Sequence, residues 1–188
     1  KLVESLVTKY VNPKTTLHDL GANTGRFSRV VSRHCSQVIA HDVDEMAVER
    51  HYRELNKEES TNILPLLLDL ANPTPAIGWD LKERMSFHER ASGGSALALA
   101  LIHHICISNN VPLHSFAEFL AGVFETLIIE FVPKQDSQVQ RLLATRQDIF
   151  EDYKSLGFEQ AFSDFFEIQE QHPVEGSQRI MYAMTRRV

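Results

Sequence analysis

One glycine-bearing turn, set between a strand-like and a helix-like segment, constrains this chain more than any of its other features. Thr15 to Leu20 is a short β-rich run that carries Asp19 near its end. The turn Gly21-Ala22-Asn23-Thr24-Gly25 follows, and Phe27, Val30 and Val31 then recur on one face of a helix. Gly21 and Gly25 let the backbone bend sharply and let a bound group approach main-chain N–H donors where the helix starts. Strand, tight turn and helix in that order open a βαβ unit, which commits the chain to a parallel sheet covered by helices.

The remaining pattern continues that alternation. Leu2, Val3, Leu6 and Val7 predict an opening helix that stops near Asn12-Pro13. Gln37 to Ala40 predicts a second strand, and Glu45 to Lys57 a charged helix with Met46, Val48 and Leu55 as its apolar positions. Asn62 to Leu68 and Ser95 to Ile102 are continuous apolar runs, expected as strands buried on both faces. The stretch between them, with Pro73, Pro75, Gly93 and Gly94, is expected as a long loop holding one helical turn. Phe116 to Phe124 predicts a helix, Glu125 to Val132 a strand, and Gln138 to Tyr153 an amphipathic helix. Phe165 to Gln169 and Arg179 to Thr185 predict a closing antiparallel hairpin. The expected fold is therefore α/β: a doubly wound, mostly parallel seven-stranded sheet with a C-terminal antiparallel hairpin and helices on both faces. One domain spans 1–188. Because the chain starts at Lys1 and enters a helix at once, it is expected to be a fragment of a longer protein with an upstream domain.

Charge narrows the partners. With 19 basic against 25 acidic residues the net charge is −6, so no broad field draws phosphate backbones or anionic membranes. Nucleic acid is accordingly not expected as a partner, although Arg84, Arg90, Arg141 and Arg146 leave a local basic patch open. Cys35 and Cys106 are too few and too far apart for a disulfide framework. No apolar run has the length of a membrane span, and no signal peptide opens the chain, so a cytoplasmic location and no membrane partner are expected.

Two further carboxylates follow strands at informative places. Asp42 ends the second strand 17 residues after Gly25, where it can accept hydrogen bonds from both hydroxyls of a ribose. Asp69 ends the third, level with the exocyclic amine of an adenine. Together with the glycine turn they describe an adenosine pocket beyond the carboxyl ends of the strands.

The run Leu17-His18-Asp19-Leu20-Gly21-Ala22-Asn23-Thr24-Gly25-Arg26-Phe27-Ser28 resembles the first motif of class I S-adenosylmethionine-dependent methyltransferases. Ile39-Ala40-His41-Asp42 is similar to that family's ribose motif, Leu67-Leu68-Asp69-Leu70 to its adenine-edge motif, and Leu99 to His104 to its fourth-strand motif. The resemblance implies S-adenosylmethionine as cofactor. It implies that Asp19 and the backbone of Gly21, Ala22, Asn23, Thr24 and Gly25 hold the methionine part, and that Asp42 holds the ribose. It implies that Val43 packs on the adenine, that Asp69 bonds the adenine amine, and that Leu70 and Leu101 complete the pocket. Leu101 to Ile105 resembles the apolar-His-His-apolar end of the fourth strand in many members acting on small molecules, and the Asn-Pro-Pro-Tyr type of base-methylating enzymes is absent. A small-molecule acceptor is expected. The chain departs from the family where Ala91 to Ser95 lacks the acid that often precedes the fourth strand.

Methyl transfer from a sulfonium is an in-line displacement, so alignment is the main requirement, and an acceptor that must lose a proton adds a general base. His103, His104 and Glu130 are the candidates. His103, His104, Cys106 and His114, with His88 and Glu89 upstream, fit no recognised ligand spacing, so no metal is expected. Two other readings stay open. A module that binds the cofactor or a partner without catalysis would account for the missing acid. A nicotinamide dinucleotide oxidoreductase would share the glycine turn and the acid after the second strand, but it requires Gly-x-Gly-x-x-Gly, and Asp19 would repel its phosphates.

Overall fold

The computed structural model describes residues 1–58 and 62–187. Helix α1 (Leu2–Tyr10) precedes strand β1 (Thr16–Leu20), and after the glycine turn come α2 (Arg26–Val31), β2 (Gln37–Asp42), α3 (Glu45–Glu58) and β3 (Ile63–Leu67). The second half runs through α4 (Phe87–Ala91), β4 (Gly94–Ala98), α5 (Leu113–Val123), β5 (Phe124–Phe131), α6 (Ser137–Leu143) and α7 (Ser155–Ser163). The hairpin β6 (Phe166–Pro173) and β7 (Ile180–Arg186) completes it.

The seven strands form one sheet in the order β3-β2-β1-β4-β5-β7-β6, all parallel except β7, which runs against both of its neighbours. The expected sheet, including its terminal hairpin, is present. Two cores sandwich it. Phe87, Phe116, Leu120, Phe158 and Phe162 from α4, α5 and α7 fill one face. Val3, Leu6 and Val7 of α1, Val31 of α2 and Leu55 of α3 fill the other. Strand order reverses between the parallel neighbours β1 and β4, and a crevice opens there beyond the strand ends, as in other open α/β sheets.

Several local expectations are corrected. β3 is not buried on both faces: it is the sheet edge, with Leu64 44% and Leu67 53% exposed, and Pro65 in its middle has no N–H to offer a further strand. α3 buries Ala47, His51 and Leu55, while Met46 stands 73% exposed. In α2, Ser28 joins Val31 on the buried face and Phe27 turns outward. The helix expected over Gln138 to Tyr153 ends at Leu143, and a further helix not expected from the sequence, α7, supplies Phe158 and Phe162. The long connection after β3 holds both a 3₁₀ turn at Trp79–Leu81 and α4, whose start is fixed by a reciprocal Ser86–Glu89 capping box. β4 stops at Ala98, so Leu99 to Ile102 lie beyond the sheet. No described helix is long and apolar enough to cross a membrane.

Candidate cofactor and acceptor site

The glycine turn is held against α3. Gly21 and Gly25 take φ of +76° and +73°, and Asn23 joins them in the left-handed region at +50°. A Cβ on Gly25 would lie 1.9 Å from the His51 ring of α3, so glycine is required there by packing as well as by conformation. Arg29 donates to the Thr24 carbonyl at 2.7 Å and pairs with Glu54 and Glu58, which ties the turn to α3.

All five turn amides are engaged within the protein. Those of Gly21 and Ala22 donate to the His41 carbonyl at 2.9 Å, that of Asn23 to Asp42 Oδ2 at 2.7 Å, that of Thr24 to Asn23 Oδ1, and that of Gly25 to the Ala22 carbonyl. The N–H donors expected where the helix starts are therefore those of Arg26 and Phe27 at the head of α2 and not those of the turn itself. It offers carbonyls, a small surface and the carboxylates it positions. Asp42 also accepts from the Asp44 amide at 2.9 Å through Oδ1. Each of its oxygens keeps a further lone pair, so the carboxylate is held rigidly while still able to accept two hydroxyls.

Two adjoining cavities share Gly21, Asn23, Leu99 and Ala100. The first, of about 470 Å³, is walled by Asp42, Val43, Asp69, Leu70, Leu101 and His104. Val43 is 64% exposed into open space, and Asp69, whose Oδ1 accepts from the Ala71 amide at 2.8 Å, stands exposed at the β3 end. Two carboxylates at the ends of an apolar slot suit a flat heterocycle joined to a diol. The sequence-expected residues Asp42, Val43, Asp69, Leu70 and Leu101 are brought together here.

The second cavity, of about 630 Å³, includes Asp19, Ala22, Thr24, Glu130 and Arg179 among its lining residues. Asp19 is 2% exposed and accepts from the Ser28 hydroxyl at 2.6 Å. Burial pushes its carboxyl up to about 6, against the opposing pull of that hydrogen bond. An arriving cation would ionise it. Glu130, 7% exposed, accepts through Oε2 from the Ala100 amide at 2.8 Å and from Arg179 Nη1 at 3.3 Å, while Arg179 Nε reaches Asp136 at 2.7 Å. Oε1 of Glu130 has no partner among the described residues.

The histidine pair is not on a strand. His103 and His104 sit in a helical turn that widens to π geometry over His104–Ser108, their rings stacked obliquely at 4.2 Å. His104 lines the first cavity and feels the Asp42 charge. His103 is 1% exposed, lines neither cavity, and is lowered to about 4 by burial. The three expected catalytic residues thus separate: Glu130 at the second cavity, His104 at the first, His103 beneath. Sequence reasoning missed Ser28, Asp136 and Arg179. Ser28 had a signal, lying one helical turn after Gly25, the last residue of the glycine turn, but Arg179 joins Glu130 only through sheet pairing.

No family model matches the chain. It is 41% identical over 172 residues, 91% of its length, to the nodulation protein NoeA of Rhizobium meliloti (strain 1021), and spans 36% of NoeA's length. Among solved structures, the PH0226 protein of Pyrococcus horikoshii OT3 superimposes with a TM-score of 0.69 at 16% identity, covering 98% of this chain and 88% of that one. Magnesium protoporphyrin IX methyltransferase (ChlM) of Synechocystis PCC 6803 with bound SAH gives 0.67 at 16% identity, covering 99% and 80%. The chain has the class I methyltransferase fold.

Proposed function

We propose that this chain binds S-adenosylmethionine and transfers its methyl group to a small-molecule acceptor. The observation that carries the reading is the set of hydrogen-bond acceptors that the crevice presents. Turn amides are all consumed internally, and Asp19, Asp42, Asp69 and Glu130 present carboxylates instead. Such a site favours a cationic, hydroxyl-bearing ligand and repels a pyrophosphate, which counts against a nicotinamide dinucleotide.

In this reading Asp42 holds the ribose hydroxyls, Val43, Leu70 and Leu101 clamp the adenine, and Asp69 accepts from its amine. Asp19, fixed by Ser28, faces the methionine ammonium. When bound, the cofactor supplies an electrophilic methyl on sulfur. Glu130 Oε1 takes the proton that the acceptor's hydroxyl or amine loses as its heteroatom is methylated. Oε2, clamped by Ala100 and Arg179, keeps the carboxylate aimed. His104 serves the adenosine side, and His103 supports it from below. A metal has no part in the reading, and among the described residues no three His, Cys, Asp or Glu side chains form a group able to hold one.

Calorimetric titration with S-adenosylmethionine and S-adenosylhomocysteine tests the proposal, with reduced nicotinamide dinucleotide as the control. Micromolar binding of the first two is expected, falling at least tenfold in Asp42→Ala. Equal binding by parent and variant would sink the assignment of the pocket, and binding without turnover on any acceptor would select a non-catalytic module.

A further inference from the structure

The second cavity is larger than the methionine part of a cofactor needs. At roughly 30 Å³ for each water-sized group, 630 Å³ holds about twenty of them, and the methionine part fills roughly half of that at most. The surplus lies among elements outside the cofactor motifs. Leu2 and Val3 come from α1, Phe27 and Val30 from α2, and Val174 and Met181 from the terminal hairpin. Phe27 is 37% exposed although its helix has a buried face available. Of the cationic groups in the lining, Arg179 is paired with Glu130 and Asp136, Arg26 lies over its own neighbour's ring, 5.7 Å from the Phe27 centroid, and Lys1 sits at the start of α1, so the apolar side chains make up most of the surface between them.

Resting on the cofactor reading above, we infer that the acceptor is an apolar, ring-sized molecule that carries one hydroxyl or amine, held between α1, α2 and the β6–β7 hairpin with that group against Glu130. A sugar or nucleoside acceptor does not fit these walls. Each hydroxyl turned toward Leu2, Val3, Val30, Val174 or Met181 loses water and gains no partner. An apolar body loses nothing of the kind, and its area of contact supplies affinity. Glu130 is the one carboxylate here with an oxygen that no described residue engages and that the cofactor's ammonium does not claim, so it fixes which end of the molecule enters first.

The experiment loads the protein with S-adenosylhomocysteine and then titrates it with 4-phenylphenol, and separately with glucose, by calorimetry. Binding of 4-phenylphenol and none of glucose is expected, with a tenfold or greater loss in Val174→Arg and in Phe27→Arg. Thermal melts within a few degrees of the parent certify that each variant is folded, and either one suffices if the other is not. Glucose binding in place of the phenol overturns the inference, as does phenol affinity that neither variant changes. Failure of the loaded protein to take any probe also overturns it. Failure of S-adenosylhomocysteine to bind in the first step is seen separately, and removes the cofactor reading together with this one.

Discussion

Acidification to pH 5 should unfold this protein or bring it close to unfolding. His18, His41, His51 and His103 are each at most 4% exposed, and burial lowers their pKa values to about 4, 3, 4 and 4. In the unfolded chain each titrates near 6.5. A histidine whose folded pKa is depressed stays neutral in the native state while the unfolded state takes up a proton, so stability falls as pH drops below 6.5 and levels off only below the folded value. At pH 5 each such histidine removes about 2 kcal/mol, and the four together about 7. Asp19 works the other way: its folded pKa, raised to about 6, makes the native state bind a proton first and returns about 1 kcal/mol over the same interval. A net loss of about 6 kcal/mol compares with the 5–15 that a domain of ordinary stability has in total. Urea unfolding followed by circular dichroism at pH 7, 6 and 5 measures it. His103→Gln, which removes one of the four titrations, should shallow the dependence by about one proton. A midpoint that stays constant from pH 7 to 5 would refute the argument, because the four rings would then have to be protonated, or reached by water, in the folded state.

Two other perturbations follow from geometry. Gly25→Ala forces a side chain into a left-handed conformation against the His51 ring, and should cost about 2 to 5 kcal/mol, read as a lowered urea midpoint; a neutral result would mean that α3 yields freely. Tyr153→Phe removes the hydroxyl that donates to the Val132 carbonyl at 2.8 Å and leaves that buried carbonyl short of a partner, a loss of about 1 to 3 kcal/mol in the same assay with no change in S-adenosylhomocysteine affinity.

The first half of the site was legible because it is local. Asp19, the glycines and Asp42 sit at strand ends whose periodicity is plain, and strand ends are where a doubly wound sheet gathers its ligands. Edge and centre were not legible for β3: an apolar run looks alike whether one neighbour or two cover it, and only Pro65 marked the difference. The histidine pair shows the opposite limit. Residues just past a strand were read in the strand's alternation, yet the chain turns helical after Ala98 and sends the two rings to different surroundings. Glu130 was found as a strand-end acid, while its clamp by Arg179 spans 49 positions and leaves no periodic trace.

The place of β7 in the sheet sets an order of events. It is the last of the seven strands to be synthesised, and it lies between β5 and β6 rather than at the rim. A chain still emerging from the ribosome can assemble β1 to β5, and with them the slot beside Asp42. Arg179 and Met181 arrive only with β7, so Glu130 remains without its guanidinium partner and the second cavity lacks a wall until then. A nascent or prematurely terminated chain would consequently hold half a site, and one open to water at the point where transfer would occur.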